Sequence, residues 1–566
     1  MAVPFFPRGA AWSLSDGVRV VDVDAFDAAT ARAAAWFVAR GVPRGSRVVL
    51  VTKSSIDAVV VLFGAWRAGL VVVPANPGYQ AHELGHVVVD SGAVLVVVDG
   101  DGAVDLGAGA GTDVVAARIV VDGSKDGVRV VVEGETSPPR PPSPQAERGE
   151  EKQAAHDAAR IVVDVVDVVD VVVGRDVDDN DLALLIYTSG TTGRAKGCAH
   201  TFGGLAAGIG ALMELWGVGD VDVVVNPLPL FHVHGLCVCL LGALLRGASV
   251  RLVPHFSAEA VVDVVDVAGG TVLMTVPTMV HRLLALLDGD GTSSDAAERG
   301  RRVLARLRLA TCGSAALSAA QLERFRAHTG LTLLERYGMS ETLITLSNPL
   351  VGERRPGAVG WPVPGTRVRV VDDELWVSAP GMMRGYWQRP DADREVFVDD
   401  DAGRWFRTGD VVDVAADGCV RIVGRASQDI VKVGGFKIAT REIEEQLEGA
   451  AAVAEVSVVG VPDDEWGEQI VAVVVLRPGH TLSLDEAQAH TRLASVKKPR
   501  RLVVVDALPR NGLGKVVKPA VRSLVLGADN NTTHVRGSGR GVSSSTSGAD
   551  RGDEGHRRSP RSGRAR

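Results

Sequence analysis

Between residues 45 and 99 the chain places its apolar residues in short valine-rich runs separated by helical patterns, and this alternation limits the fold more than any other feature. Ser46 to Val51 predicts a strand, Ile56 to Ala68 a helix, Leu70 to Pro74 a second strand and Ala93 to Asp99 a third. Strands that are apolar on both faces must be covered on both faces, so the reading is an α/β domain with a largely parallel sheet. The pattern resumes at Leu182-Ala-Leu-Leu-Ile-Tyr187 and continues through residues 201–350, while Thr366 to Val377 reads as short antiparallel strands. A smaller unit begins near residue 425. It has a helix at Thr440 to Leu447 and strands at Ala454 to Val461, Gln469 to Leu476 and Leu502 to Val505, enough for a small α+β lid.

From 100 to 180 the signal degrades into a low-complexity, linker-like stretch. Ser137-Pro-Pro-Arg-Pro-Pro-Ser-Pro144 is an extended linker, followed by a Val-Val-Asp repeat that fits neither helix nor strand periodicity. The 566 residues carry 61 Lys and Arg against 69 Asp and Glu, a net −8 that argues against nucleic-acid binding. Residues 536–566 hold eight Arg against three acids, so the tail from Gly527 is expected to be a disordered basic appendage. Five cysteines without a CxxC pair exclude a disulfide framework and structural zinc. The apolar run Gly235 to Leu245 is too short to span a membrane. An acid-containing N-terminus makes a poor transit peptide. The default is a soluble intracellular protein in the cytoplasm, with an organelle left open and no obligatory protein partner evident.

The chemistry concentrates after the strand ending at Tyr187. Thr188-Ser-Gly-Thr-Thr-Gly-Arg-Ala-Lys-Gly197 offers glycines for close backbone approach, hydroxyls for phosphate oxygens, and the charge of Lys196. It is not a Walker loop, because Ala195 stands where that pattern needs Lys. The string resembles the phosphate loop of the acyl-adenylate-forming enzymes. Five further strings follow in that family's order: Arg336-Tyr-Gly-Met-Ser-Glu-Thr342, Trp405-Phe-Arg-Thr-Gly-Asp410, Gly424-Arg-Ala-Ser-Gln-Asp429, Gly434-Gly-Phe-Lys437 and Pro509-Arg-Asn-Gly-Leu-Gly-Lys515. The resemblance covers roughly residues 40–100 and 181–526.

The resemblance implies a large N-terminal domain of parallel and mixed sheets at 1–424, a hinge at 425–429 and a mobile C-terminal domain at 430–526. It implies that Thr188, Ser189, Gly190, Thr191, Thr192, Gly193, Lys196 and Ser340 hold ATP phosphates, that Tyr337 stacks on adenine, and that Gly313 and Gly338 also belong to the nucleotide site. Asp410 and Arg425 would bind ribose, and Glu341 would hold Mg²⁺, a hard cation suited to carboxylate oxygen. Lys515 would bridge the attacking carboxylate and the α-phosphate. Ser427 and Gln428 would absorb the rotation that next presents Gly434 and Gly435 to coenzyme A. This hinge segment departs from the family pattern by one residue.

Phe231-His-Val-His-Gly235 reads as pocket wall, since two histidines are too few for zinc, and His232 is placed among the catalytic residues. With Val276-Pro-Thr-Met-Val-His-Arg282, Gly313-Ser-Ala-Ala-Leu317 and Gly352-Glu-Arg-Arg-Pro-Gly-Ala-Val-Gly360, it most resembles malonyl-CoA synthetases. A dicarboxylate in a dry pocket needs an opposing charge, and the planar fork of Arg suits it. Arg282 ranks first, with Arg354, Arg355 and Ser314 beside it. The expected activity is ATP-dependent ligation of malonate or methylmalonate to coenzyme A. The alternatives are another short- or medium-chain acid, oxalate and fatty acids included, an adenylation module that loads a carrier protein, or a paralogue that only binds nucleotide.

Overall fold

The computed structural model describes residues 11–99, 115–121, 128–132, 161–163, 177–188, 195–315, 317–426, 428–433, 436–463, 466–511 and 514–530. Two nine-stranded sheets form the large domain. At the centre of the first, Leu309–Cys312, Val272–Thr275, Val223–Asn226 and Ser249–Leu252 run parallel. The second centres on Leu182–Thr188, Val71–Ala75, Arg47–Val51 and Ala93–Asp99, also parallel. These are the valine-rich runs of the sequence, and burial on both faces is the reason for their composition.

A single core joins the two sheets: Val224 and Val250 of the first and Val72 and Leu184 of the second share it with Phe63 and Leu205 from helices Ile56–Arg67 and Phe202–Leu215. Helix Ile56–Arg67 buries Ile56 and every residue from Ala58 to Trp66, capped by Ser55 Oγ accepting from Ala58 N. Edge-to-face rings run from Trp12 through Phe26, Phe63 and Trp66 to Phe202, each pair of centroids 5.3 Å apart. This stack draws the N-terminal segment, including helix Val23–Ala39, into the domain ahead of the point where the sequence pattern begins.

A third sheet is antiparallel. Arg367–Val371 and Glu374–Ser378 form its hairpin, closed by Asp372 and Asp373 at φ 52° and 71°. Two successive positive φ values give a turn whose twist matches the strands, and Asp tolerates that region. Gly403–Val414 and Val420–Arg425 pair beside it and carry the chain to the small domain. There Ile430–Val433, Gly467–Leu476 and Val453–Asp463 pair antiparallel, with Arg501–Val504 parallel on Gly467–Leu476.

Two expectations are revised. The linker-like 100–180 stretch contributes strands Val115–Val121, Val128–Val132 and Ile161–Val163 to the second sheet, the first of them parallel to Ala93–Asp99. Valines of a repeat without period can still pair as an edge. The tail expected to be disordered from Gly527 begins as helix, because Lys518–Asn530 continues past it with Val521 and Val525 buried. Residues 531–566 lie outside the described residues. Among the described residues no helix is long and apolar enough to cross a membrane.

Candidate active site

The first half of the site is built by strand pairing. Asp410 and Arg425 are register partners across the hairpin Gly403–Val414 and Val420–Arg425. Arg425 Nε lies 2.8 Å from Asp410 Oδ1, and Nη1 donates to the Thr408 carbonyl at 2.7 Å. Tyr337 donates its hydroxyl to Asp410 Oδ2. Burial raises the Asp410 carboxyl above its usual range, with Arg425, Tyr337 and Lys515 opposing the rise. The result is an acceptor pair tied to an aromatic ring, suited to vicinal hydroxyls beside a base.

Tyr337 and Glu341 flank a tight reversal between Leu334–Met339 and Leu343–Ser347. A Cβ at Gly338 would collide with the Leu343 carbonyl oxygen, so only glycine fits there, and Leu343 itself is left-handed at φ 57°. The turn buries Glu341, whose Oε1 accepts from the Tyr386 hydroxyl at 3.0 Å. Burial pushes its carboxyl up, and neighbouring Asp410 adds to the rise while Tyr386 and Arg425 oppose it. Among the described residues no three His, Cys, Asp or Glu side chains group to hold a metal. A lone buried carboxylate does fit Mg²⁺ of the kind that arrives on a nucleotide, since that ion takes most of its oxygens from phosphate and water. Ser340 is buried one residue earlier, its carbonyl 2.7 Å from His200 Nε2.

Ser189, Gly190, Thr191, Thr192 and Gly193 lie outside the described residues, but both stems of their loop are placed. Thr188 pairs with Lys196 and Tyr187 with Gly197 in antiparallel register. A Cβ on Gly197 would lie 3.1 Å from the Tyr187 ring, whose hydroxyl donates to Asp90 at 2.8 Å. His86 Nε2 lies 2.8 Å from the Ala195 carbonyl. Lys196 Nζ stands 5.0 Å from the centre of the Tyr386 ring, so Tyr386 faces both the loop lysine and Glu341. Asp90, His86 and Tyr386 were not singled out from the sequence; nothing in their spacing marks them.

A second cluster centres on a buried arginine. Arg336 is 4% exposed, and among the described residues no carboxylate lies within ion-pairing distance. Nη2 lies 2.6 Å from His234 Nε2, while Arg336 Nε and His234 Nδ1 are both buried without a partner. Burial lowers the guanidinium to about 10, and burial with the adjacent Arg336 holds His234 well below its usual value. A neutral His234 that accepts from Arg336 at Nε2 carries its proton on Nδ1, so two buried donors and one buried positive charge lack an acceptor. A Cβ on Gly313 would lie 2.6 Å from the guanidinium, which explains the glycine there, and Ser314 follows at φ 73°, exposed. His232 sits within the field of both Arg336 and Lys515, lowered to about 4 chiefly by burial.

Of the arginines expected here, two are engaged elsewhere. Arg354 donates to the carbonyls of Pro349 at 3.1 Å, Leu350 at 2.7 Å and Thr332. Arg355 forms a fork with Asp417 at 3.0 and 2.6 Å and stacks on Trp361. Both serve the loop that joins strands Leu343–Ser347 and Trp361–Pro362 of the first sheet, a role that consecutive arginines do not reveal in a sequence. Arg282 lies exposed on helix Pro277–Asp288, its guanidinium 5.9 Å from the Phe256 ring centre.

The small domain brings Lys515 to this cleft. Lys515 N donates to Asn511 Oδ1 at 3.0 Å, and its carbonyl accepts from Asn511 N at 2.9 Å, closing a tight loop. Gly514, at φ 77°, would place a Cβ 3.8 Å from Thr278 at the start of helix Pro277–Asp288 in the large domain. The cleft walls lower the Lys515 ammonium, Arg425 lowers it further, and Asp429 and Asp410 oppose them. Lys515 therefore shares one electrostatic neighbourhood with Asp410, Arg425 and His232. Ser427, Gly434 and Gly435 lie outside the described residues, whereas Gln428 N donates to the Arg425 carbonyl at 3.1 Å.

A large domain of two joined sheets, a buried acid–arginine pair and a lysine presented by a separate small domain thus meet at one cleft. Residues 12–387 match the AMP-binding enzyme family and 442–515 its C-terminal domain. The chain belongs to the AMP-binding enzyme family. It is 39% identical over 372 residues to a mitochondrial malonate–CoA ligase of Mus musculus, covering 59% of this chain and 63% of that protein. The match thus spans less than two thirds of that relative's length. A malonate–CoA ligase of Arabidopsis thaliana is 32% identical, over 85% of this chain and 78% of that protein. The ATP-bound crystal structure of MatB from Rhodopseudomonas palustris superposes with TM-score 0.76 at 30% identity, covering 93% of this chain and 99% of that one.

Proposed function

We propose that the protein joins malonate, or methylmalonate, to coenzyme A at the expense of ATP. The observation that carries the substrate is Arg336: a buried guanidinium with no acid partner, set beside a second unsatisfied donor on His234. Burying an unpaired charge costs several kcal/mol, about 3–5 when a partner is missing, so such a site is tolerable where a ligand supplies the counter-charge. A carboxylate accepting from Arg336 and His234 completes both. The relatives named for malonate ligation and the ATP-bound MatB structure support the reading.

In the first step the other carboxylate of the acid attacks the α-phosphorus of ATP. A new P–O bond forms, the bond to the β,γ-pyrophosphate breaks, and malonyl-adenylate remains. Lys515 places positive charge where the pentavalent phosphorus gathers negative charge, which stabilises the transition state more than the ground state. Asp410 and Arg425 hold the ribose, and Tyr337 covers the base. Glu341 would hold Mg²⁺, which supplies charge neutralisation on the phosphates. In the second step the thiolate of coenzyme A attacks the acyl carbon, AMP leaves, and the thioester forms. His232, held neutral by burial, borders both the acid and Lys515 without repelling the lysine.

The test is a panel of acids with ATP and Mg²⁺, with and without coenzyme A. Malonate and methylmalonate should give the fastest CoA-dependent AMP formation. Faster turnover with hexanoate or coumarate contradicts the substrate, and transfer only to a carrier protein contradicts the acceptor.

A further inference from the structure

Lys518, outside the strings that mark the site in the sequence, ties the connecting segment to the small domain. Lys518 stands three positions after Lys515, at the first turn of helix Lys518–Asn530. Its ammonium lies 2.6 Å from Asp429 Oδ1, 2.8 Å from Glu444 Oε1 and 2.6 Å from Thr440 Oγ1, with 14% of its side chain exposed. Glu444 is itself held in place, accepting from Val458 N at 2.8 Å. Lys518, Glu444 and Thr440 therefore form a rigid fixture of the small domain.

Asp429 is the element that reaches out of it. Its Oδ2 accepts from Arg425 N at 2.9 Å, and Arg425 ends the last strand of the large domain. Ile430 opens the first strand of the small one. The carboxylate thus spans the connecting segment, with one oxygen on each side. Arg425 continues the chain through its ion pair to Asp410 and so to Tyr337. Gly424 adds a steric reason for the posture: a Cβ there would stand 2.5 Å from Asp429 Cβ, and its φ of 154° closes the chain tightly against that side chain. A rotation about residues 425–429 must break the Asp429–Arg425 contact while leaving Asp429–Lys518 free to travel with the lid.

We propose that Lys518 is a positioning residue for the first half-reaction: it holds Asp429 against the backbone of Arg425, and thereby keeps the lid in the posture that delivers Lys515 to ATP. The inference rests on the ligase reading above and deepens it. Lys518 touches no substrate. Its charge orients the hinge carboxylate, and release of the Arg425 contact is what the second half-reaction requires.

Two readouts separate this role from general stability. Malonate-dependent exchange of radiolabelled pyrophosphate into ATP reports the first step. Enzyme preloaded with malonate and ATP and then mixed with coenzyme A reports the second. In K518M, exchange should fall by about 10- to 100-fold, the weight of a charge-assisted hydrogen bond, while the CoA step stays within about twofold of wild type. K518R should restore exchange, because it keeps the charge beside Asp429. D429N, which keeps the shape of the side chain, should show the same split and stands in if K518M fails to fold. An equal fall in both steps, no fall in either, or no rescue by K518R overturns the latch. Absence of exchange in the wild-type protein with every acid overturns the ligase reading, and the latch with it.

Discussion

On the proposed reading a single guanidinium, Arg336, sets what kind of acid the cleft accepts. Arg336 opens the Arg-Tyr-Gly-Met-Ser-Glu string, yet the visible roles fall to its neighbours; a charged residue inside a strand shows its purpose only when its surroundings are known to be buried and acid-free. Arg354 and Arg355 carry the same charge and stand in a string typical of the pocket, but their forks are filled by carbonyls and by Asp417. R336M should therefore separate stability from function. Removing an unpaired buried charge should leave the melting temperature unchanged or raised. The loss of malonate recognition should be worth about 2–5 kcal/mol, roughly 30- to several-thousand-fold in kcat/KM, with acetate little affected. Steady-state kinetics on both acids with a thermal melt checks the pair of outcomes. A variant that melts far lower while retaining its preference for malonate would show that the arginine serves the core alone.

At the scale of elements, the reversal between Leu334–Met339 and Leu343–Ser347 places two site residues in one turn. Its tolerance is set by Gly338. G338A should lower stability by about 1–3 kcal/mol and reduce ATP-dependent activity, since the intruding methyl meets backbone that has no rotamer to change. Denaturant titration and the exchange assay measure both. The neighbouring Glu335 gives a pH signature. Its carboxyl, which accepts from Gly357 N at 2.9 Å, is raised by burial from 4.5 to about 7. The folded state therefore holds a proton that the unfolded state has lost between those values, and stability declines as pH rises from 4.5 through about 7. E335Q should flatten that decline, by about 3 kcal/mol at most, in melts compared at pH 5 and pH 8. Parallel slopes in the two proteins would show that Glu335 is ionised throughout.

Elements with a strong period were legible in the sequence and those without were not. The runs at 46–51, 93–99 and 182–187 reappear as Arg47–Val51, Ala93–Asp99 and Leu182–Thr188, because a fully buried strand leaves no freedom in composition. The Val-Val-Asp repeat carries no such signal, yet Ile161–Val163 pairs at the edge of the second sheet. His234–Leu241 reads as an ordinary apolar stretch, but it winds as a π-helix, where a Cβ on Gly235 would strike the Pro229 carbonyl. That irregular turn starts at the histidine which meets Arg336, consistent with the use of such turns at functional sites. Motif residues were visible through their order along the chain. Tyr386, Asp90 and His86 support them from distant segments, and proximity of that kind exists only after folding.

For the molecule as a whole, the proposed reaction requires two domains to meet at one phosphorus. The Asp410–Arg425 pair proposed to hold ribose belongs to the large domain, Lys515 to the small one, and the fields of the three overlap. The most direct measurement is malonate-dependent pyrophosphate exchange into ATP, compared between the wild-type protein and K515A with equal thermal melts. Rapid exchange in the wild type and a fall of about 100-fold or more in K515A is the expected result. Undiminished exchange in K515A would contradict the claim that the lid lysine completes the site.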